Sequence, residues 1–480
     1  MSYEAVIGLE IHVELDTASK IFCGCPTTFG ADPNTNVCPI CMGMPGTLPV
    51  LNEEVVKLAI KAGVAIDCDI RLTNKTDRKN YFYPDLPKAY QISQFDMPIC
   101  ENGHVKFDVA GVEKTVGITR IHIEEDPGKM IHTDDGVSLV DYNRSGVALI
   151  EIVTEPDIRS AEEALAFLKT VKSILQYSGI SDCRMEQGSL RCDANISIRD
   201  FGQDILNTKV EIKNLNSFKE VGKALQKEYK RQSDLHRFDE AHKIKQETRR
   251  WDAAKGRTLT MRTKEDAHDY RFFPEPDLPP IILEKAQVEA AIHTLPELPD
   301  AKRVRFHDAY ELSSQEVEVL IAEKFIADYF EQVVEYGAAP KKAANWVIVE
   351  GLRLLKSVEQ EEIPVKPSHL AKLIELVEED TVSVTAAKEV FEALVKHDED
   401  PIDLIEKMGL RQNSSADALG EIVDSVLSAH PKALDDYHSG RPESVGFLMG
   451  QVMKATKGQA NPRMAKELLL QRLGACAPEA

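Results

Sequence analysis

Between residues 6 and 15 the chain alternates strictly. Ile7, Leu9, Ile11, Val13 and Leu15 fall on one side of an extended strand, and Glu10, His12 and Glu14 fall on the other, because successive side chains of a strand point to opposite faces. The pattern returns in 190–198, where Leu190, Cys192, Ala194, Ile196 and Ile198 alternate with Arg191, Asp193, Asn195 and Ser197. In 149–155, Glu151 and Glu155 alternate with Ile150 and Ile152, and 118–125 ends in the adjacent carboxylates Glu124 and Glu125, just before Asp126-Pro127-Gly128. Segments of this period belong in a sheet with one face on a core and the other left polar. Laid side by side and antiparallel, they would make an acidic floor. A solvated outer face gives the same pattern for any single strand. Four strands whose polar residues include Glu, His, Asp and Arg point instead to a site. Carboxylate and imidazole donors suit a hard cation such as Mg²⁺, which bridges to phosphates. Nearby Arg and Lys would neutralise phosphate charge during a transfer.

The strand pattern ends at proline-rich punctuation in 273–280 and 295–299, a domain boundary in character. Beyond it the apolar residues fall at helical spacing: Leu370, Leu373, Ile374 and Val377; Ala387, Val390, Phe391 and Leu394; Val445, Leu448, Met449, Val452 and Met453. One earlier helix is well marked. Ser160 and Glu163 suit a capping box, and Ala164, Phe167, Leu168, Val171, Ile174 and Leu175 form one stripe behind it. The fold class expected is α+β.

Charge narrows the partners. The formal net charge is −21, which argues against a general nucleic-acid binder, since phosphate attraction needs local positive charge. The charge is uneven, however. Residues 209–262 hold 15 Lys and Arg against 8 Asp and Glu, and 438–472 is also basic, through Arg441, Lys454, Lys457, Arg463, Lys466 and Arg472. Such segments are solvated helix faces or anion-binding surfaces. No apolar run is long enough to span a bilayer, and the N-terminus does not read as a signal peptide, so the expected location is the cytoplasm. No phosphate-binding G-x-x-x-x-G-K-[ST] loop, G-x-S-x-G elbow or dinucleotide fingerprint is present.

Of 9 cysteines, four cluster: Cys23-Gly24-Cys25, then Cys38-Pro39-Ile40-Cys41. Four thiolates at this spacing can close a tetrahedral Zn²⁺ site, structural in type because no position is left open. Four free thiols are the alternative. The scattered cysteines read as ordinary buried thiols.

Eight segments carry a family resemblance: VIGLEIH at 6–12, DRKNYFYPDLPK at 77–88, DYNRSG at 141–146 with LIEIVTEPD at 149–157, GSLRCDAN at 188–195, EIKNLNS at 211–217, QETRRWD at 246–252, GFLMGQ at 446–451 and KGQANP at 457–462. They are similar to the B subunits of tRNA-dependent glutamyl/aspartyl amidotransferases, in the expected order along essentially the whole chain. The resemblance implies a cradle domain over 1–293, with an antiparallel sheet like that of glutamine synthetase. An all-α helical domain over 294–405 and a small all-α tail over 406–480 that contacts tRNA would follow. It implies ATP- and Mg²⁺-dependent phosphorylation of the side-chain carboxylate of Glu-tRNA(Gln) or Asp-tRNA(Asn). Ammonia from a partner glutaminase (amidase), the A subunit, then displaces the phosphate, and a small C subunit completes the heterotrimer.

Carried over residue by residue, the resemblance makes Glu10, His12, Glu125 and Glu151 Mg²⁺ ligands, with Glu124 in the same region. It gives Glu125, Lys79 and Lys88 catalytic parts, the two lysines near the active site or the ammonia path. Ser189, Arg191, Asp193, Lys213 and Asn214 would contact nucleotide or acyl phosphate, and Lys454, Lys457, Arg463 and Lys466 would contact tRNA. Cys23, Cys25, Cys38 and Cys41 would hold zinc that supports the fold, a cluster some family members lack. Two positions depart from the family pattern: Ala148, where proline is usual, and Gln187, where glutamate is usual. Two other readings are a non-catalytic tRNA-binding scaffold and a metal-dependent phosphotransferase acting on a small carboxylate. The intact acidic stripes weigh against the first, and the basic tail against the second.

Overall fold

The computed structural model of the chain describes residues 3–133, 135–263, 269–358, 362–412, 416–439, 441–456 and 460–475. It divides into two compact units, Met1–Pro299 and Asp300–Ala480.

The first unit is built on a nine-stranded sheet. Its edge-to-edge order is Arg257–Thr263, Glu247–Asp252, Val210–Lys213, Leu190–Asp200, Tyr3–Glu14, Ala148–Thr154, Val112–Glu125, Cys100–Val109 and Asp69–Ile70. The alternating segment therefore lies at the centre. It pairs antiparallel with Leu190–Asp200 on one side and Ala148–Thr154 on the other. Every neighbouring pair is antiparallel except Val210–Lys213 with Glu247–Asp252. There the Phe218–Arg237 helix intervenes, and a crossover of that length returns the chain in the same direction. The sheet is thus antiparallel with one parallel step.

The apolar stripes face one side. Ile7, Leu9, Ile11, Val13, Ile121, Ile123, Ile150, Ile152, Cys192, Ala194 and Ile196 are all buried in a single core. The helices Glu53–Ala65, Ala161–Tyr177 and Phe218–Arg237 cover that side. Phe167 meets Phe107 of the sheet edge-on, with ring centroids 5.7 Å apart. Ser160 caps its helix by accepting from Glu163 N at 3.1 Å. The return bond of the expected box is displaced by one residue: the Glu163 carboxylate accepts from Arg159 N.

The second unit is helical. Leu370, Leu373 and Ile374 of Pro367–Glu378 are buried, as are Ala387, Val390, Phe391 and Leu394 of Val384–Leu394. A five-residue π-helix, Val347–Gly351, widens one helix and buries Glu350 against Lys388 and Arg353. Residues from Leu419 onward form their own core, in which Leu448 and Val452 meet Ala465, Leu469 and Leu473. The expected boundaries after residues 293 and 405 both fall inside helices, Lys285–Thr294 and Pro401–Lys407. The two compact units part at Pro299. Among the described residues, no helix is long and apolar enough to cross a membrane.

Phe167→Ala should lower the stability of the first unit by about 3–5 kcal/mol, the cost of truncating a fully buried aromatic side chain. Ser160→Ala should cost only about 1 kcal/mol, the worth of one helix cap. Chemical denaturation of each variant measures both.

Candidate active site

The strand register converts the polar stripes into rows. His122, Glu151, His12 and Arg191 are successive register partners across four strands, so they stand side by side on the face opposite the helices. His122 Nε2 lies 3.1 Å from Glu151 Oε2 and 3.3 Å from Glu124 Oε2. His12 Nε2 lies 3.5 Å from Glu151 Oε2. Lys79, on the separate Asp77–Asn80 strand, places Nζ 3.1 Å from Glu124 Oε1 and beside the Tyr270 ring.

These charges hold one another. Burial disfavours a carboxylate, but His122 and His12 outweigh it and hold Glu151 well below the usual range. Burial also opposes ionisation of Glu124, and Lys79 and His122 outweigh it. Burial opposes charge on His122, yet Glu151 and Glu124 push its imidazole up to about 9. His12 is raised against burial by Glu151. Glu124 and Glu151 are thus kept ionised. His12, Glu124 and Glu151 can each offer a ligand atom with all three atoms within 4.8 Å of one another. Two carboxylates and an imidazole fit a hard divalent cation.

A second group lies one row along. Glu10 pairs with Asp193 in register, and Glu10, Asp193 and Glu211 also present ligand atoms within 4.8 Å. Lys213 Nζ reaches Asp193 at 2.5 Å and Glu211 at 3.0 Å. Asn195 donates to Glu10 at 2.9 Å. Burial and then Glu151 raise Glu10. A third set closes the end of the face. Arg191 Nη2 bonds Asp126 Oδ2 at 2.6 Å, and Arg144 Nε approaches the same oxygen at 3.5 Å. Burial and then Asp126 push Glu14 up to about 8.

Glu125 is outside the group of His12, Glu124 and Glu151. It follows Glu124 on the same strand, so its side chain points to the opposite face. There Lys88 Nζ holds Glu125 Oε2 at 2.6 Å and the Ile92 N–H donates to Oε1 at 2.8 Å. Glu125 and Lys88 line a cavity of about 110 Å³ together with Lys20, Cys23 and Cys41. The four cysteines of the cluster bring their sulfurs within 4.8 Å of one another. The Cys38 N–H donates to Cys41 Sγ at 3.1 Å. The hydrogen bond with Cys23 is the first cause that lowers Cys41, to about 4, while burial raises Cys25 to about 11. A closed set of four sulfurs fits a thiophilic cation such as Zn²⁺.

The remaining expected residues divide. Arg191, Asp193 and Lys213 lie on the polar face. Ser189 turns inward: its hydroxyl donates to the Asp182 carboxylate and accepts from Arg184 N at 2.7 Å, which locks the turn before Leu190. Asn214 takes a left-handed backbone, φ 63°, at the end of its strand. Gln187 is exposed on the Ser189 turn, and Ala148 stands opposite Glu125. In the second unit Lys454, Arg463 and Lys466 are exposed, and Lys457 lies outside the described residues. His122 was not among the expected residues, although its place two residues before Glu124 puts it on the same face.

Comparison with known proteins agrees over the whole chain. Residues 5–289 match the family model described as the GatB/GatE catalytic domain, and 328–473 match that described as the GatB domain. The chain is 57% identical over 476 residues to the B subunit of the aspartyl/glutamyl-tRNA(Asn/Gln) amidotransferase of Clostridium beijerinckii, covering 98% of this chain and 99% of that protein. It is 56% identical to a B-type subunit, numbered 2, of the same enzyme from Clostridium acetobutylicum, with the same coverage. It is 52% identical to the B subunit from Carboxydothermus hydrogenoformans, again over 98% and 99% of the two chains.

Because Glu124 and Glu125 face opposite ways, their neutral variants should separate. Glu124→Gln should weaken Mn²⁺ binding, followed by electron paramagnetic resonance, by about tenfold or more, while Glu125→Gln should leave it within about twofold. Equal losses in both would place the cation elsewhere.

Proposed function

The chain belongs to the GatB family, the B subunits of aspartyl/glutamyl-tRNA(Asn/Gln) amidotransferases, and from that premise we propose that its first unit phosphorylates and then amidates the side-chain carboxylate of a mischarged tRNA. The observation that carries this reading is the row of His122, Glu151, His12 and Arg191 on the polar face, flanked by Lys79. A face on which Glu124 and Glu151 are held ionised beside cationic side chains suits phosphoryl transfer, which is mainly positioning and charge stabilisation.

In this reading the aminoacyl carboxylate of Glu-tRNA(Gln) or Asp-tRNA(Asn) forms a bond to the γ-phosphorus of ATP as the bond to ADP breaks. Ammonia then attacks the acyl carbon, and phosphate leaves. His12, Glu124 and Glu151 would hold Mg²⁺, whose chemistry when bound would be neutralisation of phosphate charge. The protein's own groups do the rest. His122 and Lys79 keep Glu124 and Glu151 ionised and fixed. Arg191 and Lys213 offer cationic donors at the edge where the transferred phosphoryl group would gather charge. Asp193 and Glu211 hold Lys213 in place, Glu10 accepts from Asn195 beside them, and Ser189 and Asn214 shape the strand ends around it. Glu125 and Lys88, behind the strand, line the cavity by which ammonia would reach the acyl group. Ammonia would come from a partner amidase, the A subunit, joined through a small C subunit. The cysteine cluster would carry structural zinc. The core beginning near Leu419 would be the tRNA-binding tail, through Lys454, Lys457, Arg463 and Lys466.

The complete complex, given ATP, Mg²⁺ and Glu-tRNA(Gln) or Asp-tRNA(Asn) without an ammonia donor, should form ADP only when the tRNA is charged. Glu151→Gln should lower that rate by about 100-fold, the scale of losing one preorganised electrostatic group. ADP formation indifferent to Glu151 would place the kinase site outside this face. In the tail, each of Lys454→Ala, Arg463→Ala and Lys466→Ala should lower the salt dependence of tRNA affinity by about one unit of slope. An unchanged slope would remove the tail from the contact.

A further inference from the structure

Lys20 is withdrawn from solvent, 0% exposed, in the middle of the first unit. A buried ammonium normally sits beside a carboxylate, because an uncompensated charge is costly away from water. Lys20 does not. Among the described residues, Nζ bonds the Cys41 sulfur at 3.7 Å and the Tyr142 carbonyl oxygen at 3.2 Å, and no ion pair joins it to an acid. Among the described residues, the cysteine cluster is the one source of negative charge it touches. Four thiolates around a dication leave a net negative charge, and the Lys20 ammonium meets that charge directly.

Its second bond leads toward the polar face. Tyr142 begins a short loop on which several contacts converge. Ile21 N donates to Gly146 O at 2.9 Å, Gly146 N to Asp126 O at 2.8 Å, and Asp126 N to Val147 O at 2.9 Å. Gly146 has a left-handed φ of 81°, with its missing Cβ position 3.6 Å from both Cys41 Cβ and Lys20 Cδ. The loop also carries Arg144, which together with Arg191 grips Asp126. Arg191 is the register partner of His12. A second route starts from the same knuckle. A Cβ on Gly43 would come within 2.5 Å of Lys88 Cγ, so the knuckle backbone rests on the lysine that holds Glu125.

We propose that Lys20 is a positioning residue: by donating to the Cys41 thiolate and to Tyr142 O, it ties the thiolate centre to the loop that holds Asp126 and Arg191 in line with His12. The inference rests on the reading of the cysteines as a metal centre. The metal centre then does more than staple a remote knuckle, since its charge anchors one end of a strut whose other end supports the reacting face. Methionine at position 20 would fill the same space and make neither bond.

The test uses the full complex with Lys20→Met. Metal analysis of the unmutated complex comes first and should find zinc on this chain. Its absence would overturn the metal-centre reading and the proposal with it. With zinc present, Lys20→Met should release it to a chromogenic chelator about tenfold faster, the scale set by losing a partner of a metal ligand. The same variant should lower kcat for charged-tRNA-dependent ADP formation while KM for ATP stays within about twofold, the split expected of a group that positions the reacting face rather than binds substrate. Zinc release and kcat both unchanged would overturn the role of Lys20 and leave the zinc reading standing. If the variant does not fold, stripping zinc from the unmutated complex should lower ADP formation, and restoring zinc should recover it. Full activity after stripping would overturn the coupling.

Discussion

Everything on the polar face depends on one register. Tyr3–Glu14 pairs with a strand on each side so that His12 stands opposite Glu151 and opposite Arg191. A slip of one residue would exchange the faces. It would drive Glu10, His12 and Glu14 into the core and push Ile11 and Val13 out. The apolar burial of Ile7, Leu9, Ile11 and Val13 therefore enforces the alignment of the charged residues behind them. The core provides stability, and it also sets which acid faces which base.

The cluster so aligned is costly as well as orderly. Glu124, Glu151 and His122 are all nearly buried, and they are held ionised by one another, by His12 and by Lys79. Removing one member would leave a charge without its partner, which is far more damaging than never having had the pair. Arg191 and Asp126 repeat the arrangement at the end of the face. Preorganised charge of this kind is what phosphoryl transfer draws on.

Much of this was legible in the chain. The alternation at 6–15 and 190–198 gave the strands and their faces, Ser160 gave the start of its helix, and the cysteine spacing gave a cluster whose sulfurs converge. The parity rule that exposes those faces also separates Glu124 from Glu125 and places His122 beside Glu124. Other features follow from tertiary contacts that no local pattern encodes. Ser189 spends its hydroxyl on a turn, because the chain must reverse before Leu190. The parallel step comes from a crossover helix. Lys20 looks like any surface lysine until the loop at 141–147 closes over it.

The adjacent residues Glu124 and Glu125 share one peptide unit and are each fastened to their own lysine. They also lean on neighbouring residues of one short strand, Tyr90–Ser93: the Ser93 hydroxyl donates to Glu124 at 3.4 Å and the Ile92 N–H to Glu125 at 2.8 Å. Two carboxylates with different surroundings thus rest on a single common support, and a change in that strand reaches both.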